Sequence, residues 1–298
     1  MSNEKKTDTV SGALETDASS AASMMKKEPE EVKSPWPGPK GMIPVTSGRV
    51  DDANVHNRAY LDNILVEMRV IDAVEPDLTT TIFGKKYASP LTLAALSHLN
   101  KVLPDKSRKP MQEKVATAKK MNVLNWIGME SNEDYREIVR DAGDTVRIVK
   151  PYADHEQIIG ELRLAEELGA VAVGMDIDHV PGENGKYDVV DGIPLGPITF
   201  NDLEEYVKAT RLPFVVKGVL SVRDAVKARD AGFDAYKALA LGADAVLIGR
   251  GILPELLNDG QKGVEDKLVK LNEQLSQMML YTGIKDTRSF DPTVLHFN

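Results

Sequence analysis

Six strand-sized apolar runs, nearly all followed by a segment of helical periodicity, dominate the sequence from Pro90 onward and leave few folds open to it. The runs are PLTLAAL (90–96), NVLNWIG (122–128), TVRIVKP (145–151), AVAVGMDI (170–177), PFVVKGV (213–219) and DAVLIGR (244–250). Their nearly continuous apolarity is that of strands covered on both faces, as in a parallel sheet. Among them lie EKVATAKKM, NEDYREIVRDAG, DHEQIIGELRLAEELG, TFNDLEEYVKAT, SVRDAVKARDAG and GVEDKLVKLNEQLSQMMLYTG. Several close on Gly, where a helix takes its left-handed stop. Repeated strand–helix units with right-handed crossovers build a (β/α) barrel or a doubly wound α/β sheet. A standard barrel has eight strands. Here six are visible, and two helical stretches meet at Gly232–Phe233 with no strand between them. The expectation is an α/β fold, a (β/α) TIM-type barrel with about six of the usual eight βα units.

Residues 1–40 differ from this body. They are rich in Ser, Thr, Ala, Glu and Lys, close on SPWPGPKG, and cannot bury enough apolar area to offset their ordering entropy. They are expected to form a disordered tail, with Trp36 packed on the neighbouring domain. The barrel domain is expected over 41–298. Its lead-in, 54–89, has Tyr60, Ile64, Leu65 and Met68 at helical spacing, then DLTTTIFGKKYASP, a short hairpin turning at Gly84.

Composition narrows the function. The chain has 37 Lys+Arg against 46 Asp+Glu, a net charge of −9, which argues against a protein living on phosphate backbones. Cys is absent, excluding thiolate metal sites, Fe–S clusters and cysteine nucleophiles. No apolar run approaches the roughly 18 residues of a membrane span, and the acidic N-terminus lacks a secretory h-region. The expectation is a cytoplasmic protein with neither nucleic acid nor membrane as partner.

Charges at strand ends mark the candidate site. Gly249 lets backbone approach an anion and Arg250 can grip it, so GADAVLIGRGI suggests a phosphate at the mouth of the last strand. Lys217 is a cation at the carboxyl end of an apolar strand, fit to be a Schiff-base nucleophile, a stabiliser of an anionic ligand or a structural ion pair. VGMDIDH ends another strand with Asp176, Asp178 and His179, a possible divalent-metal set, although one carboxylate is better used to orient Lys217 or a ligand. His98 follows the first strand and Lys150 ends the third. Together Lys150, Asp176, Lys217 and Arg250 would make an anion-attracting mouth on an acidic protein.

The segments NRAYLDNILVEMRVIDAVEPDLTTTIFGKKYASPL, LPFVVKGVLSVRDAVKARDAGFDA and YKALALGADAVLIGR, in this order, resemble the FMN-dependent α-hydroxy-acid dehydrogenase/oxidase family, the glycolate oxidase and lactate oxidase group. The resemblance implies a (β/α) barrel with FMN at its carboxyl-end mouth, a small 2-hydroxy acid as substrate, hydride transfer to flavin N5, and homo-oligomers. By position it implies that Lys217 stabilises the reduced flavin and that Gly249 and Arg250 grip the FMN phosphate. Asp176 would orient the catalytic histidine, and a turn of Ala94, Ala95, Leu96 and Ser97 would pack on the ring.

Departures accompany the match. The family's Ser-Asn-His-Gly-Gly-Arg segment, carrying its base and a substrate arginine, and its Asp-Gly-Gly-Ile-Arg phosphate segment are absent, as though about fifty residues were missing at the Gly232 junction. Lys150 stands for a substrate-contacting tyrosine, Ile148 for a glutamine, and Lys186 is the basic residue nearest to a second arginine. His98 or His179 is left to act as base. The alternatives are a non-catalytic remnant, or an incomplete gene model, retaining partial FMN binding, and a metal-dependent barrel lyase or hydrolase using Asp176, Asp178 and His179.

Overall fold

The computed structural model describes residues 59–60, 63–178, 185–219, 221 and 243–297. The tail 1–40, His179, the helix expected over SVRDAVKARDAG beyond its first residue, Ser221, and the Gly232–Phe233 junction lie outside them. Ahead of the body come β1 (Ile64–Val66) and the hairpin of β2 (Thr80–Ile82) with β3 (Lys85–Tyr87). Then follow β4 (Leu91–Leu96), α1 (Pro110–Met121), β5 (Asn125–Ile127), α2 (Asn132–Val139), β6 (Thr145–Val149), α3 (His155–Glu167) and β7 (Ala172–Asp176). A second hairpin, β8 (Val189–Val190) with β9 (Ile193–Pro194), precedes α4 (Phe200–Lys208) and β10 (Phe214–Lys217). The chain closes with β11 (Val246–Ile248), α5 (Leu253–Tyr281) and β12 (Leu295–Phe297).

The large sheet is parallel in the order β10-β7-β6-β5-β4-β11. From β4 to β10 each strand is laid beside its predecessor in one direction, and the final strand returns to the far side of the first. A doubly wound sheet would reverse direction at a switch point. Unidirectional winding with the last strand beside the first is barrel topology, so the sheet has six of a barrel's strands, with β10 and β11 at its two edges among the described residues.

Local chemistry sets the helix starts. The Ser131 side chain accepts from the Asp134 N–H, that of Asp154 from Glu156 and Gln157, and Thr199 and Asp202 form a capping box. α5 kinks at Gly260, whose φ of +63° suits glycine, and Arg108 donates to the Leu256 and Leu257 carbonyls there.

Alternate strand residues feed two cores. Leu93, Ile127, Val149, Val173 and Met175 pack outward under the helices. Trp126, Val146, Ile148 and Val215 pack inward with Ile82 and Tyr87 of the β2–β3 hairpin. Leu124, Val171 and Ala245, which precede their strands, join the inner cluster. The hairpin therefore plugs the amino end of the barrel, leaving the carboxyl end as the mouth.

The lead-in differs from the expected helix. Among the described residues there only Ala59 and Tyr60 are helical, and Ile64–Val66 is a strand paired antiparallel with Leu295–Phe297. The β-branched Ile64 and Val66 and the waiting edge of β12 outweigh an apolar spacing that also suits a helix.

Candidate functional site

Three neighbouring strands end in charge. In register, Lys217 at the end of β10 lies opposite Asp176 at the end of β7, and Lys150 directly follows β6. Oδ2 of Asp176 accepts from both ammonium groups, from Lys217 at 2.9 Å and from Lys150 at 3.0 Å. Lys217 also reaches Asp178 at 3.7 Å. Burial pushes the Asp176 carboxyl up, but its hydrogen bond with Asp178 and the two ammonium charges prevail and hold it down to about 2. The same hydrogen bond raises Asp178. The other oxygen of Asp176, Oδ1, is buried without a hydrogen-bond partner among the described residues.

A partly open cavity of about 130 Å³ lies beside this cluster, lined by Ala95, Ser97, Gly128, Met129, Lys150 and Asp176 among others. A Cβ on Gly128 would displace Ser97 Oγ and press on the Leu96 carbonyl oxygen at 3.3 Å. Ala94 and Ala95, expected in a turn, instead belong to β4, which continues to Leu96 through a register shift after Leu93. At the mouth of β11, Gly249 faces Ala94, whose Cβ would lie 3.6 Å from a Cβ on the glycine, and the exposed Arg250 opens a single 3₁₀ turn.

His98 follows β4 in a left-handed conformation, φ +57°. Its Nδ1 stands 3.4 Å from Glu130 and its Nε2 3.4 Å from Asp191, the latter in the β8–β9 turn. Lys101 reaches the same Asp191 at 3.5 Å. Lys186 is exposed on the segment leading into β8. The metal alternative is not assembled among the described residues: Asp176 and Asp178 are both engaged by Lys217, and no group of three ligating side chains there could hold an ion.

Three residues of this end were not singled out from sequence. Glu130, 5% exposed, accepts the His98 backbone N–H, and its signal was a carboxylate just beyond an apolar strand. Arg147, 1% exposed in the middle of β6, donates to the Gly128 and Glu130 carbonyls and to Glu161 and lies over the Tyr135 ring. A charge inside TVRIV was its signal, and its bonds fix the β5–α2 loop that walls the cavity. Asp191, with Gly192, carried the Asp-Gly signature of a tight hairpin turn, both residues at positive φ.

Comparison with known proteins agrees with this geometry. The FMN-dependent dehydrogenase family matches over residues 45–197, 186–236 and 231–297. Glycolate oxidase 3 of Arabidopsis thaliana is 23% identical over 320 residues, covering 80% of this chain and 86% of its own. L-lactate oxidase of Nostoc sp. is 24% identical over 336 residues, covering 84% and 92%. 2-Hydroxyacid oxidase 1 of Mus musculus reaches 35% identity over 127 residues, covering 43% and 32%. The crystal structure of a mandelate oxidase superposes with a TM-score of 0.69 at 22% identity, covering 81% of this chain and 88% of that one, which shows the barrel fold. An alignment of 320 residues is longer than this 298-residue chain, so the plant relative carries stretches without counterpart here. Matching along nearly its whole barrel, the chain belongs to the FMN-dependent dehydrogenase family.

Proposed function

We propose that the chain is an FMN-dependent oxidoreductase acting on the CH–OH group of a small 2-hydroxy acid, the substrate type in the names of its glycolate, lactate and 2-hydroxyacid oxidase relatives. The observation that carries the reading is Asp176 holding two ammonium groups at the barrel mouth, with a Gly-Arg strand end on the same rim.

These residues fit FMN at its polar ends. Lys217 suits the pyrimidine edge of the ring, where negative charge collects on reduction. Gly249 and Arg250 suit the phosphate, and Ala94 and Ala95 keep β4 low enough for a flat ring. This cavity is smaller than the roughly 300 Å³ of an ordinary ligand pocket, so a bound ring would lie largely above it. Bound FMN supplies the acceptor for the α-hydrogen of the substrate.

The protein's own groups do the rest. Asp176 fixes both ammonium groups, Lys150 pairs with the substrate carboxylate, and Lys186 adds positive charge from the loop. His98 takes the hydroxyl proton on Nε2 once that nitrogen turns from the exposed Asp191, with Glu130 beside Nδ1 stabilising the imidazolium that results. His179, outside the described residues, is the other imidazole suited to that task. Met129 and Ile148 keep the inner wall apolar and water out. The proposal includes a cytoplasmic homo-oligomer without nucleic acid as partner, the last of which the net charge of −9 supports.

The test is the visible spectrum of the purified chain with added FMN, followed by anaerobic glycolate, L-lactate or mandelate. Flavin absorbance that bleaches with one of these acids is expected, and His98→Gln should slow bleaching by about 100-fold or more. Failure to bind FMN overturns the reading. A second reading, a flavin binder without turnover, is favoured by the family match breaking at 231–236. It predicts a yellow protein that no hydroxy acid bleaches.

A further inference from the structure

All the large apolar side chains left exposed among the described residues, except Tyr187, Val189 and Phe200, come from two segments, 60–74 and the second half of α5. Leu65, Met68, Ile71 and Val74 stand out on the first and Leu280 and Tyr281 on the second, with Ile71 89% exposed. The two segments lie together: Arg69 N–H donates to the Tyr281 carbonyl at 2.7 Å, and Asp77 N–H to that of Lys285 at 2.8 Å. A groove of about 980 Å³ runs between Glu75–Leu78 and α5 from Val269 to Leu280. Scattered apolar residues need no explanation, but exposed apolar side chains gathered on two hydrogen-bonded segments beside a groove point to a binding surface.

We propose that this surface is the dock of the chain's own segment 34–45, SPWPGPKGMIPV. The chain enters the described structure at Ala59–Tyr60, at the start of the first of these two segments. The stretch from Trp36 to Ala59 gives an average reach of about 24–29 Å for a flexible linker, against roughly 17 Å for the length of α5 along the groove. Tethering at this range sets an effective concentration of order millimolar, so weak contacts suffice. The segment offers Trp36, Met42, Ile43 and Val45 to Pro76, Leu78, Val269 and Leu280 of the groove, and four prolines restrict the backbone of the free chain, which lowers the entropy lost on docking. Its one charge, Lys40, meets a lining whose charged groups are Glu75, Glu273 and Lys270, one negative charge in excess. Most of the segment precedes residue 45, where the family match begins, so the dock is a property of this chain and independent of the proposed chemistry.

The full chain holds two tryptophans, and Trp126 is 2% exposed, so acrylamide quenching of tryptophan emission separates them. The difference between the wild type and Trp36→Phe isolates Trp36. Docking predicts quenching of Trp36 at least about threefold weaker than that of free tryptophan amide, unchanged by dilution. Ile71→Asp and Leu280→Asp, both at exposed positions, should each raise it toward the free value while Trp126 emission reports an intact core. Quenching of wild-type Trp36 at the free value overturns the proposal, as does protection that neither substitution disturbs. Protection lost on about 100-fold dilution, with the mass by light scattering halving, assigns the patch to a second copy and overturns it too.

Discussion

One carboxylate oxygen, Oδ2 of Asp176, serves two ammonium groups, and that sharing sets what substitution there does. Asp176→Asn should cost about 3 kcal/mol by urea unfolding, the low end for breaking a buried pair, because Lys217 is partly exposed and keeps Asp178. The pH dependence has a definite sign. A carboxyl held down to about 2 from 3.8 contributes stability that is present above pH 3.8 and lost as pH falls toward 2, and the variant should lack that acid limb. Lys114 has the opposite sense. Fully buried on α1, it donates to Asn125 Oδ1 and the Trp126 carbonyl, and burial pushes it from 10.5 down to about 7. Wild-type stability should therefore rise from pH 7 toward 10.5, and Lys114→Met should be more stable at pH 7 and flat across that window in urea midpoints. Lys217, Asp176 and Lys150 were legible because each is a charge ending an apolar strand. That all three meet at one oxygen was not, since pairing across strands depends on sheet order. Lys114 was illegible, one lysine among several on a helix that reads as solvated.

At the scale of elements, the six body strands stood out because strands covered on both faces carry nearly unbroken apolar runs. The lead-in misled because Tyr60, Ile64, Leu65 and Met68 satisfy a helical spacing while the partner that makes Ile64–Val66 a strand lies at the other end of the chain. The β8–β9 hairpin was within reach, since Asp191-Gly192 sits between Val-Val and Ile-Pro. Strand packing also has a residue it cannot do without. A Cβ on Gly174 of β7 would strike the Val215 carbonyl oxygen and come within 3.0 Å of Val215 Cβ on β10. Gly174→Ala should force those strands apart, lowering stability by about 3 kcal/mol or leaving the protein insoluble. An unchanged urea midpoint would show that the pair tolerates the methyl group.

For the molecule as a whole, the repeat of strand and helix left barrel and doubly wound sheet equally open, and what separates them is the placement of β11 beside β4. No local pattern in DAVLIGR states that neighbour. The shortfall in strands was legible as length, because two helical stretches met where a barrel needs strands between them. Its consequence is uneven rigidity. In β11 the residues are half-buried and the strand pairs only with β4 among the described residues, whereas β6 is buried throughout between two neighbours. Amide hydrogen exchange at Val246–Ile248 should run at least about tenfold faster than at Val146–Val149, and equal rates would mean that the β11 edge is covered. The pairing of β1 with β12 has a consequence in time. The 229 residues separating Glu67 from His296 take roughly ten to fifty seconds to synthesise at about 5–20 residues per second. For that interval each nascent chain carries Ile64, Leu65 and Val66 as an apolar strand whose partner has not yet been made, the period in which a ribosome-associated chaperone has most to protect.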